Sequence, residues 1–361
     1  MTAGLAPRRV VVLAPNWLGD VIMALPALTA VRRWFPSAHV AVAARAPVAG
    51  VLGMTGVVDQ VVPLQGRGSW RDGAGRAADA ARLRDGGFDV AILLPNSFHA
   101  AWLVRLAGIG QRWGYRRDAR GLLLTRAPAP PRGPATQAAY YAGLVRALGG
   151  PDAVLTAALQ VDPPVRESAA AMLRAEGWNG EPLVAYAPGA AFGPAKRWPA
   201  DRVAAVAAEL AATAGVRPVL VGAAADRDAI AEVLAHYRRV GGAATLPAID
   251  LGGRTDLPTL AGVFTWCRAV LSNDSGAMHL AAAAGAAVTA VFGPTDERAT
   301  APLPHPGAGA VTLVAGEAWC RPCLLRFCPI DHRCMTSIDP ARVAETLAAG
   351  GAEHRAAGPR S

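Results

Sequence analysis

Apolar residues in this chain fall into short runs that are separated by longer amphipathic stretches. The runs are rich in Val, Ala and Leu, and they predict buried parallel strands at 10–14, 40–44, 57–63, 90–94, 183–187, 218–221, 249–251, 269–271 and 288–292. Helical periodicity between them predicts helices at 21–35, 74–84, 99–107, 136–148, 165–176, 201–214, 226–237, 256–266 and 275–284. Strands that alternate with helices predict an α/β protein with parallel sheets.

The alternation is interrupted once. It stops at Gly149-Gly150-Pro151 and starts again near Val165. We therefore expect two domains, residues 1–160 and 161–349, and a disordered tail at 350–361. A chain of 361 residues that is 52% hydrophobic has enough apolar material for two cores.

The composition and the missing motifs exclude several classes of protein. No stretch of 18 uncharged apolar residues occurs, and the N-terminus lacks the pattern of a signal peptide, so we expect a cytosolic protein without a transmembrane helix. Five cysteines in 361 residues do not make a disulfide scaffold. The dinucleotide fingerprint, the Walker A loop and the Gly-x-Ser-x-Gly elbow are all missing from the sequence.

Charge is distributed unevenly along the chain. Residues 1–150 carry 18 Arg against 7 acidic residues, whereas residues 151–361 carry 18 cationic against 20 acidic ones. The basic half predicts an anionic partner such as nucleic acid, anionic lipid or a phosphorylated glycolipid. The alternative is a solvated surface in a protein that uses Arg throughout.

Lys196 is the only lysine among the 36 basic residues. It lies in a Gly/Pro-rich loop, 188–199, between a predicted strand and a predicted helix. Lysine there is suited to a phosphate oxygen as a compact point charge. The alternative is that this lysine persisted by chance.

The segment Asn273-Asp274-Ser275-Gly276-Ala277-Met278-His279 also joins a strand to a helix. Asp274 or Ser275 can cap that helix, and its free N–H groups and dipole favour a phosphate or diphosphate. His279 lies one turn on, within reach of a phosphate or a sugar hydroxyl. An ordinary capped helix with a satisfied histidine is the competing interpretation.

Asp20, after Gly19, lies in the loop that follows the first strand. It is either a helix N-cap or, in a dry cleft, a general base. Ligands of open parallel sheets bind beyond the carboxyl ends of the strands, where the loops 15–20, 188–199 and 272–279 all lie. The sequence therefore predicts a cleft between the two domains.

Four cysteines, Cys320, Cys323, Cys328 and Cys334, lie close together in the sequence with His332 among them. Their spacing matches no standard zinc ribbon, and it leaves a metal site, disulfides and free thiols all open. Cys267, in a predicted helix, is expected in the core.

Four segments together resemble the heptosyltransferases of glycosyltransferase family 9, and in particular the heptosyltransferase II subgroup. They are Ala14 to Val21, Leu94 to Phe98, Pro188 to Pro199, and Asn273 to Ala283 with Phe292-Gly293-Pro294. The resemblance covers about residues 10–295. It implies a GT-B fold, with two Rossmann-like domains, an interdomain cleft, the acceptor on the N-terminal domain and the donor on the C-terminal one.

The resemblance also implies an activity, namely inverting transfer of heptose from ADP-heptose to heptosyl-Kdo2-lipid A with no required cofactor or metal. The enzyme would be cytoplasmic, peripheral to the inner membrane and without a nucleic-acid partner. The alternatives are another family 9 enzyme, such as a type I or III heptosyltransferase, a non-catalytic nucleotide-sugar binding module, and a GT-B-like sugar-nucleotide epimerase.

Residue roles follow from the same resemblance. Asp20 would be the base, and Lys196 would neutralise the ADP leaving group. Asp274, Ser275, Gly276 and His279 would hold the diphosphate and heptose, and Met278 would pack near the adenine. The remaining implied contacts are Gly189, Phe192 and Asp226 on the donor side, and Asn16, Trp17, Gly19 and Asn96 on the acceptor side. Ala224 stands where some relatives have an acidic residue near the ribose, so Asp226 is the substitute expected there.

Overall fold

The computed structural model describes residues 7–66, 72–241, 246–307 and 309–356. The chain forms two compact units, Met1–Ala157 and Ala158–Ser361. In both, every paired strand is parallel, so the predicted α/β class with parallel sheets is confirmed. No helix within these described ranges is long and apolar enough to span a bilayer.

The first unit contains five strands and six helices in the part described. Their bounds are β1 Arg9–Leu13, α1 Leu18–Met23, α2 Leu25–Trp34, β2 His39–Arg45, α3 Ala46–Gly53, β3 Gln60–Leu64, α4 Gly73–Asp85, β4 Val90–Leu93, α5 Phe98–Leu106, β5 Gln111–Gly114 and α6 Gln137–Ala147. The sheet order is β3-β2-β1-β4-β5. One face of the sheet packs Val11, Leu13 and Leu93 against Leu83 and Val104 of the flanking helices.

The second unit continues the same alternation. Its elements are α7 Pro163–Ala175, β6 Leu183–Ala187, α8 Ala200–Ala214, β7 Arg217–Leu220, α9 Arg227–Gly241, β8 Ile249–Asp250, α10 Leu257–Trp266, β9 Cys267–Asn273, α11 Gly276–Ala283, β10 Ala287–Phe292, α12 Glu297–Thr300, β11 Val311–Ala315, α13 Arg333–Thr336 and α14 Pro340–Ala356. The sheet order is β11-β10-β9-β6-β7-β8.

Several elements differ from the sequence prediction. The single helix expected at 21–35 is two helices, α1 and α2, because Pro26 in the first turn of α2 has no N–H with which to continue α1. Helix α3 was missed because it contains Pro47, Gly50 and Gly53, which usually break helices. The edge strands β5 and β11 were also missed.

The C-terminal prediction needs a correction as well. Residues 350–356, expected to be a disordered tail, form the end of helix α14, while residues 357–361 lie outside the described part of the chain. Four of these seven residues, Ala352, Glu353, Arg355 and Ala356, have high helix propensity, which outweighs the adjacent Gly350 and Gly351.

Both sheets have a topological switch point. In the first unit the strand order reverses between β1 and β4, and in the second it reverses between β6 and β9. Parallel α/β sheets bind ligands beyond the carboxyl ends of the strands at such points. The segments that follow these four strands carry Asp20, in the first turn of α1, and Asn96, Lys196 and Asp274, so the topology indicates the same residues as the motifs.

Candidate functional site

In the second unit, the loops after β6 and β9 meet through one ion pair. Lys196 Nζ lies 2.6 Å from Asp274 Oδ2, and the two side chains are only 13% and 6% exposed. The hydroxyl of Thr295 donates to the same carboxylate oxygen at 2.6 Å. The sequence singled out the lysine and the carboxylate, whereas Thr295, from the loop after β10, was missed.

Asn273 connects the backbones of these two loops. Its amide Nδ2 donates to the carbonyl of Pro188 at 2.7 Å, and its Oδ1 accepts from the N–H of Trp198 at 3.0 Å. One buried side chain thus fixes both ends of the loop 188–198 to the end of β9. This explains how a Gly/Pro-rich loop holds Lys196 in a defined position.

Phe192 lies between two cations. Lys196 Nζ is 4.9 Å from the centre of its ring, and the Arg326 guanidinium carbon is 5.3 Å from it. Lys196 is therefore held by a carboxylate and by an aromatic face. The predicted donor-side residues Phe192, Lys196 and Asp274 lie together in the second unit.

Of the two predicted caps of helix α11, Asp274 and Ser275, the N-cap is Ser275, and Gly276 is the first helical residue. The Ser275 hydroxyl accepts from the N–H of Ala277 at 3.3 Å. Met278 has no exposed surface, and its place near the adenine stays a prediction.

His279 is 3% exposed, and its Nδ1 has no hydrogen-bond partner among the residues that the structure describes. Burial lowers its pKa to about 4, Lys196 pushes in the same direction, and Asp274 opposes it. The imidazole is therefore neutral at physiological pH.

Gly189 and Asp226 are in direct contact. A Cβ atom on Gly189 would lie 2.1 Å from Asp226 Cγ, so only glycine lets this carboxylate reach the loop backbone. Asp226 Oδ2 accepts from the N–H of Ala223 at 3.0 Å, and Oδ1 is 3.8 Å from the Arg197 guanidinium. Ala224 is exposed in the short 3-10 turn Ala224–Asp226.

In the first unit, Asp20 lies in the first turn of α1. The N-cap of that helix is Trp17, which makes no side-chain capping bond, so the interpretation of Asp20 as the N-cap is wrong. The Tyr141 hydroxyl donates to Asp20 Oδ1 at 3.1 Å. Burial, and then the charge of Asp20, raise the pKa of Tyr141 well above its usual value, which keeps the phenol protonated as a donor.

The acceptor-side residues around Asp20 differ in their exposure. Asn16 is exposed, Trp17 is 58% exposed, and Gly19 is half-buried beside Asp20. A large aromatic side chain is thus exposed at the N-cap of the helix that carries the carboxylate.

Asn96, after β4, is held by two partners that the sequence did not suggest. Its Nδ2 donates to the Tyr140 hydroxyl at 2.8 Å, and its Oδ1 accepts from Arg120 at 3.3 Å. Arg120 is completely buried, and burial lowers its pKa to about 10. Because Tyr140 and Tyr141 are consecutive on α6, one helix contacts both loops of this unit's switch point.

The four clustered cysteines are free thiols that line one small cavity beside Ala195 and His332. No three or more His, Cys, Asp or Glu side chains in the described ranges are arranged to hold a metal ion. His332 Nε2 is instead 2.6 Å from the carbonyl of Ala195, so the histidine contacts the Lys196 loop. Cys267 is buried, as predicted, but it begins strand β9 and is not in a helix, and burial raises its pKa to about 12.

Comparisons with known proteins give consistent matches. A sequence profile of glycosyltransferase family 9 (heptosyltransferase) matches residues 76–333. Lipopolysaccharide heptosyltransferase 2 of Salmonella typhimurium is 31% identical over 348 residues, covering 94% of this chain and 97% of the relative.

Solved structures agree with the sequence matches. The Escherichia coli ADP-heptose lps heptosyltransferase II has a TM-score of 0.78 at 27% identity, covering 96% of this chain and 99% of that one. A family 9 glycosyl transferase from Veillonella parvula, at 21% identity, shares the fold with a TM-score of 0.82 over 96% and 97% of the two chains.

Proposed function

We propose a function for this chain from the premise that it belongs to glycosyltransferase family 9. It transfers L-glycero-D-manno-heptose from ADP-heptose to heptosyl-Kdo2-lipid A and inverts the anomeric centre. The relatives named heptosyltransferase 2 support the choice of donor and acceptor, since they align along nearly the whole chain. The observation that carries the proposal is the Lys196–Asp274 ion pair at the switch point of the second unit.

Lys196 provides the charge that the departing diphosphate needs. Breaking the glycosidic bond to ADP leaves negative charge on a phosphate oxygen, and a preorganised cation stabilises it most in a site from which water is largely excluded. The lysine is nearly buried and is held between Asp274 and the ring of Phe192, so little reorganisation is required.

The resemblance assigns the diphosphate and the heptose jointly to Asp274, Ser275, Gly276 and His279, and the charge of Asp274 suits it to the heptose. A carboxylate repels a diphosphate, so it is unsuited to bind that group directly. Its Oδ2 already accepts from Lys196 and Thr295, and its other oxygen can accept from a heptose hydroxyl. We assign it to orienting Lys196 and to the sugar, and we assign the N–H groups at the start of α11 to the phosphates.

Asp20 is the base that takes the proton from the acceptor hydroxyl. An inverting displacement needs one such base on the nucleophile, and Asp20 is the carboxylate at the switch point of the first unit. The Tyr141 hydroxyl donates to Asp20 Oδ1, which orients the carboxylate for the acceptor hydroxyl.

The proposal extends to cofactors and location. Because Lys196 provides the cation at the leaving group, transfer needs no metal, and activity should survive exhaustive treatment with EDTA. The acceptor is a phosphorylated glycolipid, so the enzyme works at the cytoplasmic face of the inner membrane as a peripheral protein.

Incubation of the purified chain with ADP-heptose and heptosyl-Kdo2-lipid A tests this function, with ADP release and the mass of the product as readouts. Wild type should give both. Asp20→Asn preserves the acceptor for Tyr141 but removes the base, so kcat should fall at least about a hundredfold with little change in donor KM.

Three other outcomes of this test would contradict the proposal. Donor binding without any turnover would indicate a binding module. Turnover of donor without acceptor would indicate an epimerase. Near wild-type transfer by Asp20→Asn, with its melting temperature unchanged, would leave the reaction without this base.

A further inference from the structure

The segment 319–330, which we call the apolar run, exposes an unusual amount of apolar surface. Trp319 is 77% exposed, Phe327 72%, Leu324 62%, Ile330 51% and Leu325 45%. Half of the ten large hydrophobic residues that are exposed in the described chain are therefore found within twelve positions. Single exposed apolar residues need no explanation, but a contiguous group indicates a binding surface.

The charges of this segment have one sign. No acidic residue occurs between Glu317 and Asp331, whereas Arg321 and Arg326 lie within that interval. Arg321 is paired with Glu297 at 2.8 Å, and Arg326 remains exposed beside the ring of Phe192. Exposed Trp, Phe and Leu next to Arg are typical of segments that bind the interface of an anionic bilayer.

The backbone of the apolar run is attached to the donor-side loops. The N–H of Leu324 donates to the carbonyl of Pro294 at 3.0 Å, and the carbonyl of Arg326 accepts from the N–H of Ala195 at 3.1 Å. Ala195 is the residue before Lys196. The apolar side chains are thus held outward by a fixed segment that touches the loop carrying the proposed donor cation.

We propose that the apolar run is a membrane-docking surface that binds an anionic phospholipid bilayer. A loop with free backbone groups cannot enter the hydrocarbon region, so the side chains insert only at the boundary of headgroups and acyl chains, about 5–10 Å deep. Arg326 contacts lipid phosphates from the same surface, and the net charge of +9 attracts the whole chain to the membrane.

This inference rests on the proposed function, which places the acceptor in a membrane. Docking through the apolar run brings the Lys196 loop to the bilayer surface, where a lipid-anchored acceptor presents its sugars. A second copy of the chain is a less suitable occupant, because the exposed Arg326 of one copy would face that of the other across a symmetric contact.

Flotation of the full-length protein with vesicles of phosphatidylglycerol and phosphatidylethanolamine tests this surface. Wild type should float with these vesicles and bind phosphatidylcholine vesicles more weakly. The double variant Leu325→Ser/Phe327→Ser should partition about a hundredfold less, since each of the two buried apolar side chains strengthens binding by about tenfold or more. The control Val240→Ser removes a 61% exposed apolar residue outside the run and should float like wild type.

Activity separates this inference from the proposed function. The double variant should transfer heptose at the wild-type rate to a deacylated, water-soluble acceptor and more slowly to acceptor embedded in vesicles. If wild type does not transfer to the soluble acceptor, the proposed function fails while docking is still tested by flotation. Unchanged flotation of the double variant, or loss of self-association instead of flotation, would overturn the membrane assignment.

Discussion

Lys196 is the side chain on which we expect binding of the ADP-sugar to depend, and its ammonium group is held by defined partners. It lies against Asp274 and above Phe192, and Asp274 is in turn bonded to Thr295. Removal of the ammonium group would leave the nearly buried carboxylate of Asp274 without its main counter-charge.

Lys196→Ala should therefore weaken binding of the ADP-sugar by roughly 1.5–3 kcal/mol, the range for one charge-assisted contact. Calorimetry with ADP-heptose measures this loss of binding free energy. Thr295→Val provides the matched comparison, because it removes a partner of Asp274 but leaves the cation. If Thr295 acts only by orienting the ion pair, its replacement should cost affinity in wild type and almost nothing in the Lys196→Ala background.

His279 makes the stability of the second unit depend on pH. Its pKa is about 4 in the folded chain, below the ordinary value of 6.5, so the unfolded chain binds more protons between these values. Stability is therefore fully present above about pH 6.5 and is lost as the pH falls towards 4, by at most about 1.4 kcal/mol per pH unit.

Replacement of His279 by Gln should flatten this dependence. Urea denaturation at several values between pH 7 and 4 measures the slope, with His236→Gln, a substitution of a histidine that is only partly buried, as control. Equal slopes for wild type and His279→Gln would show that the buried imidazole does not titrate in this range.

At the scale of elements, the loop 188–199 packs against the turn that follows β7. Gly189 permits the contact, since a Cβ there would meet the Asp226 carboxylate at 2.1 Å. Gly189→Ala should destabilise the protein by roughly 1–3 kcal/mol, as expected for overpacking, and should raise donor KM because the loop carries Lys196.

Two further variants make this test specific. Asp226→Ala in the Gly189→Ala background should recover part of the lost stability, with a coupling of about 0.5–3 kcal/mol. Gly53→Ala adds a methyl group in a helix where no atom lies within 4 Å, so it should leave stability unchanged or raise it. Additive effects at Gly189 and Asp226 would show that the loop and the turn do not constrain each other.

The elements also show what could be predicted from the sequence and why. Buried strands such as β6 and β10 were predictable because all of their residues are buried and, apart from Thr289, hydrophobic. The edge strand β5, Gln111–Gly114, was missed because its sequence has no apolar pattern. The strand forms through its pairing with β4. Helix α3 was not predicted either, because its proline and two glycines have low helix propensity, which packing outweighs in the folded chain.

The same distinction applies to the site. The loops of Asp20 and Lys196 were predictable, because the rule that ligands bind beyond the carboxyl ends of parallel strands needs only the order of elements. The contact of Tyr141 with Asp20 could not be predicted, since the two residues lie 121 positions apart and no local pattern links them. Thr295 and Arg120 were missed for the same reason, since their partners are set by tertiary packing.

For the whole molecule, charge distinguishes the two halves of the chain. Residues 1–150 have an excess of 11 positive charges, and residues 151–361 have an excess of two negative ones. Both proposed substrates are anionic, yet they are assigned to different halves. A long-range field should therefore assist the acceptor, whereas the donor depends on the local cation Lys196.

This difference predicts unequal salt sensitivity for the two substrates. As ionic strength rises from about 0.01 to 0.15 M, the Debye length falls from about 30 to 8 Å, which screens the field of the basic half but not a nearly buried ion contact. The KM for a water-soluble acceptor should rise about tenfold, while the KM for ADP-heptose changes little.

Charge reversal identifies which half of the chain causes the salt dependence for the acceptor. Arg116→Glu/Arg117→Glu, at exposed positions of the first unit, should reduce the salt dependence for acceptor, and the matched reversal Arg238→Glu/Arg239→Glu on α9 should not. If both substrates respond equally to salt, or both reversals act alike, the asymmetry reflects only an Arg-rich surface and does not guide the acceptor.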